Sequence, residues 1–281
     1  MRTLKCLLLS GVLICAANAW AAFPYPDTLL DGSINVGRAG QFTALSAGDI
    51  NYYDTTVTGP SLIRGNVGVG GKANFSMSDG IVDGNVYMNS FGKFTMSGPA
   101  HFTPGHGLIT NQDTVLNGAL SDARNLSSSA AMDHSTGSYT VTMGSFNGMT
   151  ENGNKSVSLL GTGKIVLNLT DFVMTGGTFT LAGNANTTYI INISRNFSLN
   201  NAKIVLADVF GNVNSSTGVQ ASHVLFNVLG TGSQVSLNQG TSMTGILLAV
   251  QRKVDLSGGK VFGRVIGDQI NVTSGGQIVS Q

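Results

Sequence analysis

Acid and base catalysis on a polysaccharide would require clustered carboxylates, and this sequence offers few candidates. Asp79 and Asp83 lie close together along the chain, whereas Asp208, Asp255 and Asp268 are isolated. A lyase or hydrolase needs at least two such groups at one site, often with Ca²⁺ or a basic residue beside them. A turn carboxylate that accepts hydrogen bonds from backbone amides explains each residue more simply. We therefore expect no catalytic residue and no enzyme activity.

Two other patterns resemble ligand sites and are better explained by structure. His101 and His106 form a close pair, but a metal site would need both rings to converge with a third ligand, and the next carboxylate is Asp113. A Pro-Gly loop leading to a helix accounts for the pair. The segment Gly65-Asn-Val-Gly-Val-Gly70 resembles a phosphate-binding loop, yet it precedes a strand and not a helix. The sequence predicts no metal and no cofactor.

Hydroxyl side chains recur at intervals that suit a binding face. Alternating Ser and Thr pairs return once per predicted coil, so stacked strands would bring their hydroxyls about 4.8 Å apart. A second, shorter ladder is predicted to place Thr178 and Thr180 over Asn196 and Ser198. Solvent-facing strands also prefer Ser and Thr without any ligand, and that explanation stays open. The candidate face comprises Thr56, Thr58, Ser76, Ser78, Thr95, Ser97, Thr178 and Thr180.

Repeated triplets indicate the elements that would position these hydroxyls. An apolar residue, a small polar one and Leu or Met return as Phe75-Ser-Met77 and Phe94-Thr-Met96, and later from Phe179, Phe197 and Val235. The steps predict one coil per about 18 or 19 residues, with a double step between Phe197 and Val235, and a short fixed period of this kind is typical of a parallel β-helix. Strand side chains alternate, so Phe and Met are predicted to point inward and Ser and Thr outward.

One segment, residues 113–132, has helical spacing. Leu116, Ala119, Leu120, Ala123 and Leu126 recur every three or four positions, which makes one apolar face of an α-helix. A helix with one apolar stripe must cover another surface, and the side of the solenoid is available.

The composition indicates an exported chain without disulfides. Residues 1–21 are typical of a secretory signal peptide, with basic residues before an apolar run and small residues at Ala17, Ala19 and Ala21. Both cysteines lie within it. The remaining chain, residues 22–281, then carries 13 basic and 14 acidic residues, so nucleic acid is not an expected partner. No later stretch is long and apolar enough to predict a transmembrane helix.

Several stretches together carry a family resemblance: Gly65–Gly71, the helix near 113–132, Tyr189–Ser194, Val224–Gly230, Gly245–Ala249 and Val265–Gly267. In these residues the chain resembles the choice-of-anchor A adhesin-like domains of secreted bacterial proteins and, more distantly, the bacterial and microalgal ice-binding-like β-helix family. The resemblance implies an all-β, right-handed parallel β-helix with one helix packed alongside, and it allows coils whose spatial order differs from their sequence order. It also implies a non-catalytic, surface-associated function.

Three functions follow as hypotheses, all for a single solenoid domain over residues 22–281. The first is a secreted adhesion or surface-binding module whose partner is extracellular matrix or polysaccharide. The second is an ice-binding protein that uses a flat Thr and Ser face. The third is a β-helix carbohydrate-active enzyme, which the thin set of carboxylates disfavours.

Overall fold

Short parallel strands make up most of the chain in a computed structural model of the protein. The structure describes the backbone of residues 6–9, 12–15, 29–30, 33–46, 54–58, 60–141, 149–152 and 156–280, and the side chains of residues 33–46, 60–140 and 156–280. The cleavage sites predicted near Ala19 and Ala21 lie outside the described residues.

The strands before the α-helix are short, as expected for coils with frequent corners. They are Cys6–Leu9, Val12–Cys15, Leu29–Leu30, Ser33–Ile34, Ala44–Ser46, Asp54–Thr58, Leu62–Arg64, Val67–Val69, Asn74–Ser78, Ile81–Asp83, Val86–Met88, Phe94–Ser97, His101–Phe102 and Leu108–Ile109. A 3-10 helix spans Gly37–Gln41. The α-helix spans Asp113–Met132.

The strands after the α-helix are longer, because several of them bend around a corner without a break. They are Ser138–Val141, Met149–Asn152, Ser156–Thr162, Lys164–Thr175, Thr178–Ala182, Thr188–Asn200, Lys203–Ala207, Val224–Val228, Val235–Asn238, Ser242–Ser257, Lys260–Thr273 and Gln277–Val279. A second 3-10 helix spans Ala221–His223.

These strands stack into three ladders of parallel neighbours. The helix-side ladder runs through residues 164–169, 188–193, 224–228, 246–249, 264–267, 44–46, 67–69, 86–88 and 108–109. The second ladder runs through 149–152, 171–175, 196–200, 235–238, 253–257, 269–273, 54–58, 74–78 and 94–97. The third ladder runs through 156–160, 178–182, 203–207, 242–244, 260–262, 277–279, 62–64, 81–83 and 101–102.

The coils do not stack in sequence order. Val265 pairs with Ala44, and Gln277 pairs with Leu62, so the C-terminal coils continue directly into the N-terminal coils. The α-helix then joins the two outer ends of the stack. This arrangement is the rearranged order that the family resemblance allowed, and the predicted β-helix with one helix alongside is confirmed.

The predicted coil length holds for part of the stack. Phe75 pairs with Phe94, and Val235 pairs with Val254, as the repeated triplets indicated. In these coils each triplet lies directly beside the next one along the chain.

Other coils are longer than the triplets predicted. Ser198 pairs with Ser236, so the double step between Phe197 and Val235 is one coil with a long loop, and not two regular coils. The step from Phe179 to Phe197 is not a coil at all, because the two residues lie in different ladders.

The interior of the solenoid is apolar along the stack, and burial decreases at one end. Phe75 and Met77 are completely covered, as expected. Phe94 is only half-buried, although it stacks on Phe75 with the ring centroids 5.8 Å apart. Met96 is 47% exposed, so its predicted burial is wrong. The reason is position, since strand Phe94–Ser97 is the last described strand of the second ladder and pairs on one side only.

The α-helix lies across the helix-side ladder, as predicted. Twenty residues at 1.5 Å each give a helix about 30 Å long, which spans about six strands at 4.8 Å spacing. Its apolar face, which includes Leu116, Leu120 and Leu126, forms one buried cluster with side chains from six successive coils. Those side chains are Leu45, Ile266, Leu248, Ile246, Leu225, Ile190 and Val166.

Asparagine side chains from two coils donate hydrogen bonds to carbonyl groups near the C-terminal end of the helix. The Asn192 amide donates to the Ala130 carbonyl over 2.8 Å, and the Asn227 amide donates to the Ser127 carbonyl over 2.9 Å. Asn227 also donates to the side-chain oxygen of Asn192, and the Ser127 hydroxyl donates to that of Asn227. The helix is thus joined to two coils by hydrogen bonds as well as by apolar packing.

Candidate binding face

The hydroxyl residues predicted to stack do lie in register on the second ladder. Ser76 pairs with Thr95 on one side and with Thr56 on the other, and Ser78 pairs with Ser97 and Thr58. Parallel neighbours lie about 4.8 Å apart, so the spacing between strands is the predicted one. Ser76 and Ser78 are half-buried, and Thr95 and Ser97 are exposed. The side chains of Thr56 and Thr58 lie outside the described residues.

The same two columns extend across the C-terminal coils, beyond the residues predicted for the face. The column of Ser76 continues through Asn271, Asp255, Ser236, Ser198 and Val173. Two positions further along each strand, the column of Ser78 continues through Thr273, Ser257, Asn238, Asn200 and Thr175. We call these two columns, from residues 173–175 to residues 95–97, the hydroxyl face.

The hydroxyl face carries little charge. Asp255 is the one ionisable side chain in the described parts of the two columns, and the other members are hydroxyls, amides and Val173. An ion pair lies beside the columns, where Arg195 binds the carboxylate of Asp171, two residues before Val173. Hydrogen bonds from Arg195 and from the Asn196 amide lower the pKa of Asp171, so this carboxylate stays ionised and paired at neutral pH. The face can therefore offer a partner many weak hydrogen bonds from fixed positions.

The second predicted ladder is wrong. Thr178 and Thr180 lie in the third ladder, where they pair with Lys203 and Val205. Asn196 and Ser198 lie in the second ladder, on another side of the solenoid. The error has a geometric cause, because the coil that begins at Thr178 closes only at Lys203, well beyond Asn196.

A family model described as "Putative Ice-binding-like adhesive domain" matches residues 35–279. The chain belongs to this family. The match spans all three ladders and the α-helix, so the whole solenoid of this ice-binding-like adhesive domain falls within it. A comparison with curated proteins finds no match.

Solved structures of ice-binding proteins resemble this ice-binding-like adhesive domain at low sequence identity. An ice-binding protein from an Antarctic Biological Consortium has a TM-score of 0.55 at 18% identity, over 88% of this chain and 91% of that one. The DUF3494 domain of ice-binding protein 1 from Shewanella frigidimarina has a TM-score of 0.49 at 15% identity, over 87% of this chain and 95% of that one. An ice-binding protein from an Arctic yeast has a TM-score of 0.47 at 14% identity, over 90% of this chain and 96% of that one. The first likeness shows a shared fold.

Asp83, His101 and His106, which the sequence offered as candidates, have structural partners in this ice-binding-like adhesive domain. Asp83 accepts a hydrogen bond from the Thr103 hydroxyl at 2.7 Å and another from Arg64 at 3.3 Å, and together these lower its pKa. His106 lies 3.9 Å from the same carboxylate, whereas His101 contacts the carbonyl of Pro99. The two rings thus have separate partners. Among the described residues, no three His, Cys, Asp or Glu side chains form a group that could hold a metal ion.

Asp208 illustrates the turn carboxylate that the sequence suggested. Its carboxylate accepts hydrogen bonds from the backbone amides of Phe210 and Asn212, both at 2.9 Å, and from the Asn212 side chain. These bonds, led by the one from the Asn212 side chain, lower the pKa of Asp208.

Within the described part of the chain, no helix combines the length and apolar character that crossing a membrane would need.

Proposed function

We propose that this ice-binding-like adhesive domain is a secreted, non-catalytic module that binds ice through the hydroxyl face. The observation that carries the proposal is the register of two nearly uncharged columns across successive coils. Backbone ladders hold each hydroxyl at a fixed position, so little conformational entropy is lost when the face meets a regular lattice of water molecules. The family description supports ice binding and adhesion about equally.

A second candidate is adhesion to a hydroxylated polysaccharide, and the middle of the hydroxyl face favours it. Asn271, Asn238 and Asn200 offer amides that both donate and accept hydrogen bonds, and the Asp255 carboxylate accepts them. Sugar hydroxyls can satisfy all of these groups at once. Ice binding draws its support from the hydroxyl-rich coils of residues 76–78 and 95–97, and adhesion draws it from these amides.

The test is to roughen the face without touching the interior. Ser76→Tyr combined with Thr95→Tyr places two bulky rings on adjacent coils, so a flat partner can no longer approach. We expect thermal hysteresis and inhibition of ice recrystallisation to be lost. Because both side chains point outward, the free energy of unfolding should change by less than about 0.5 kcal/mol.

A matched control carries the same change on another side of the solenoid. Thr178→Tyr combined with Thr180→Tyr alters two outward residues of the third ladder and should leave ice activity intact. Equal loss of activity in both double variants would contradict the hydroxyl face as the site. A protein without thermal hysteresis that sediments with insoluble cellulose or chitin, and loses this in the Ser76 and Thr95 variant, would establish the second candidate instead.

Secretion is part of the proposal and has its own test. The signal peptide proposed for residues 1–21 predicts a mature chain that begins within a few residues of Ala21 and contains no cysteine. Expression of the full sequence followed by N-terminal sequencing of the exported protein checks this. Exported material that still begins at Met1 would contradict it.

A further inference from the structure

The third ladder opens between two of its strands. Strands Lys203–Ala207 and Ser242–Ser257, both fully described, are joined by one pair of backbone neighbours, Lys203 and Ser242. Beyond it the strands separate, and the loop of residues 208–223 lies beside the gap. The result is a groove of about 410 Å³, lined by strand residues that include Val205, Thr244 and Phe262 and by loop residues that include Asn214, Ser215 and Gln220. This volume lies within the usual range of small-molecule sites.

The side chains that line this groove are uncharged, although Lys203 and Lys260 pair with Ser242 on the neighbouring strands. Half of its described residues carry a hydroxyl or an amide, the others are apolar, and none of these lining residues is charged. Thr244 and Phe262 lie side by side on paired strands, so a hydroxyl and an aromatic ring are available to one ligand. Hydroxyls and amides both donate and accept hydrogen bonds, and a ring face accepts an apolar surface by packing.

The loop beside the groove is held in one conformation by its own hydrogen bonds. Asp208 accepts from the amides of Phe210 and Asn212. The Asn214 amide donates to the Leu206 carbonyl, and the Gln220 side chain donates to a loop carbonyl at 2.7 Å. A site that is ordered before binding loses less entropy when the ligand arrives. The same loop presents the Phe210 ring, which is 86% exposed, to solvent.

We propose that the groove beside loop 208–223 binds a neutral saccharide. A sugar ring presents hydroxyls at its edge and apolar C–H groups on its faces, which matches a groove lined by uncharged polar side chains and by Phe262. The groove lies on the third ladder, whereas the hydroxyl face lies on the second. The inference is therefore independent of what the hydroxyl face binds, and each site can be inactivated without the other.

Binding is tested on the whole protein with defined sugars. Saturation-transfer difference NMR is recorded with cellobiose, maltose, lactose and N,N′-diacetylchitobiose, with sialyllactose as the charged comparison, and a glycan array extends the set. We expect saturation transfer to at least one neutral sugar. Phe262→Ala and Thr244→Val should each weaken that binding by about tenfold or more. The groove variants are compared in the Ser76→Tyr and Thr95→Tyr background, which removes any sugar binding by the hydroxyl face, so that the remaining saturation transfer reports on the groove.

Two matched controls separate the groove from the rest of its ladder. Val279→Ala removes an outward apolar side chain on the strand next to Phe262, and Thr180→Val removes an outward hydroxyl outside the groove. Both should bind as the wild type does. Binding that survives Phe262→Ala and Thr244→Val, or absence of binding to every neutral sugar on the array, would overturn the proposal. Dimers in sedimentation that Phe262→Ala dissociates would also overturn it, in favour of a second copy of this chain as the occupant.

Discussion

Replacing Phe197 with alanine is expected to lower the free energy of unfolding by about 3 to 5 kcal/mol. The ring is almost completely buried and stacks on Phe172 with the centroids 5.4 Å apart, and it also contacts the edge of Phe226 at 5.8 Å. These neighbours belong to strands whose backbones are fixed by ladders on both sides, so they cannot move in to fill the space. The loss thus combines lost burial with an open cavity, and denaturant unfolding measures it.

Phe94→Ala is the matched control for this prediction. The Phe94 ring also stacks in the column of phenylalanines, but it is only half-buried at the end of the stack. Its removal should cost clearly less than that of Phe197. Equal losses for the two variants, or a loss below about 1 kcal/mol for Phe197→Ala, would contradict this prediction. Such a result would mean that the cost of removing a ring does not depend on its position in the stack.

Replacing Arg252 with methionine is expected to cost about 2 to 4 kcal/mol, because the change leaves several carbonyl groups without their donor. The Arg252 side chain is 3% exposed, and its guanidinium donates to backbone carbonyls in two segments. Those carbonyls belong to Ser194 and Arg195 on one coil and to Leu229, Gly230 and Ser233 on the next. Burial lowers the pKa of Arg252, but arginine starts high enough to keep its charge.

The control is the same substitution at Arg195, whose side chain is 66% exposed and paired with Asp171. An exposed ion pair contributes at most about 1 kcal/mol, so Arg195→Met should have a small effect. Thermal and urea unfolding of both variants checks the difference. A smaller loss for Arg252→Met than for Arg195→Met would show that water replaces the buried guanidinium without cost.

Local patterns predicted the parts of the fold that depend on neighbouring residues. The alternation in Phe75-Ser-Met77 indicated which side chains point inward, and the apolar spacing of residues 113–132 indicated the helix that the structure has between Asp113 and Met132. The sequence also predicted the pairing of Ser76 with Thr95, because the coil between them has the regular length.

Patterns of spacing were misleading where loops change the length of a coil. The segment between Ser198 and Ser236 includes the loop of residues 208–223, and no periodicity shows that it forms one coil. For the same reason the sequence analysis placed Thr178 over Asn196, and it did not extend the hydroxyl face into the C-terminal coils. The role of Arg252 was not predicted either, because its hydrogen-bond acceptors are backbone carbonyls, which every residue carries.

The sequence by itself determined the direction of side chains and the type of each element, because alternation along a strand and the 3.6-residue turn of a helix are properties of adjacent residues. Only the tertiary structure decided which coil lies beside which. Val265 pairs with Ala44 because the helix joins the outer ends of the stack and leaves the last coil to pair with the first. Hydrogen-bonded ladders join backbone groups, which every residue carries, so the choice of partner depends on loop lengths and on the packing of the whole interior. The hydroxyl face and the groove beside residues 208–223 are both products of that order.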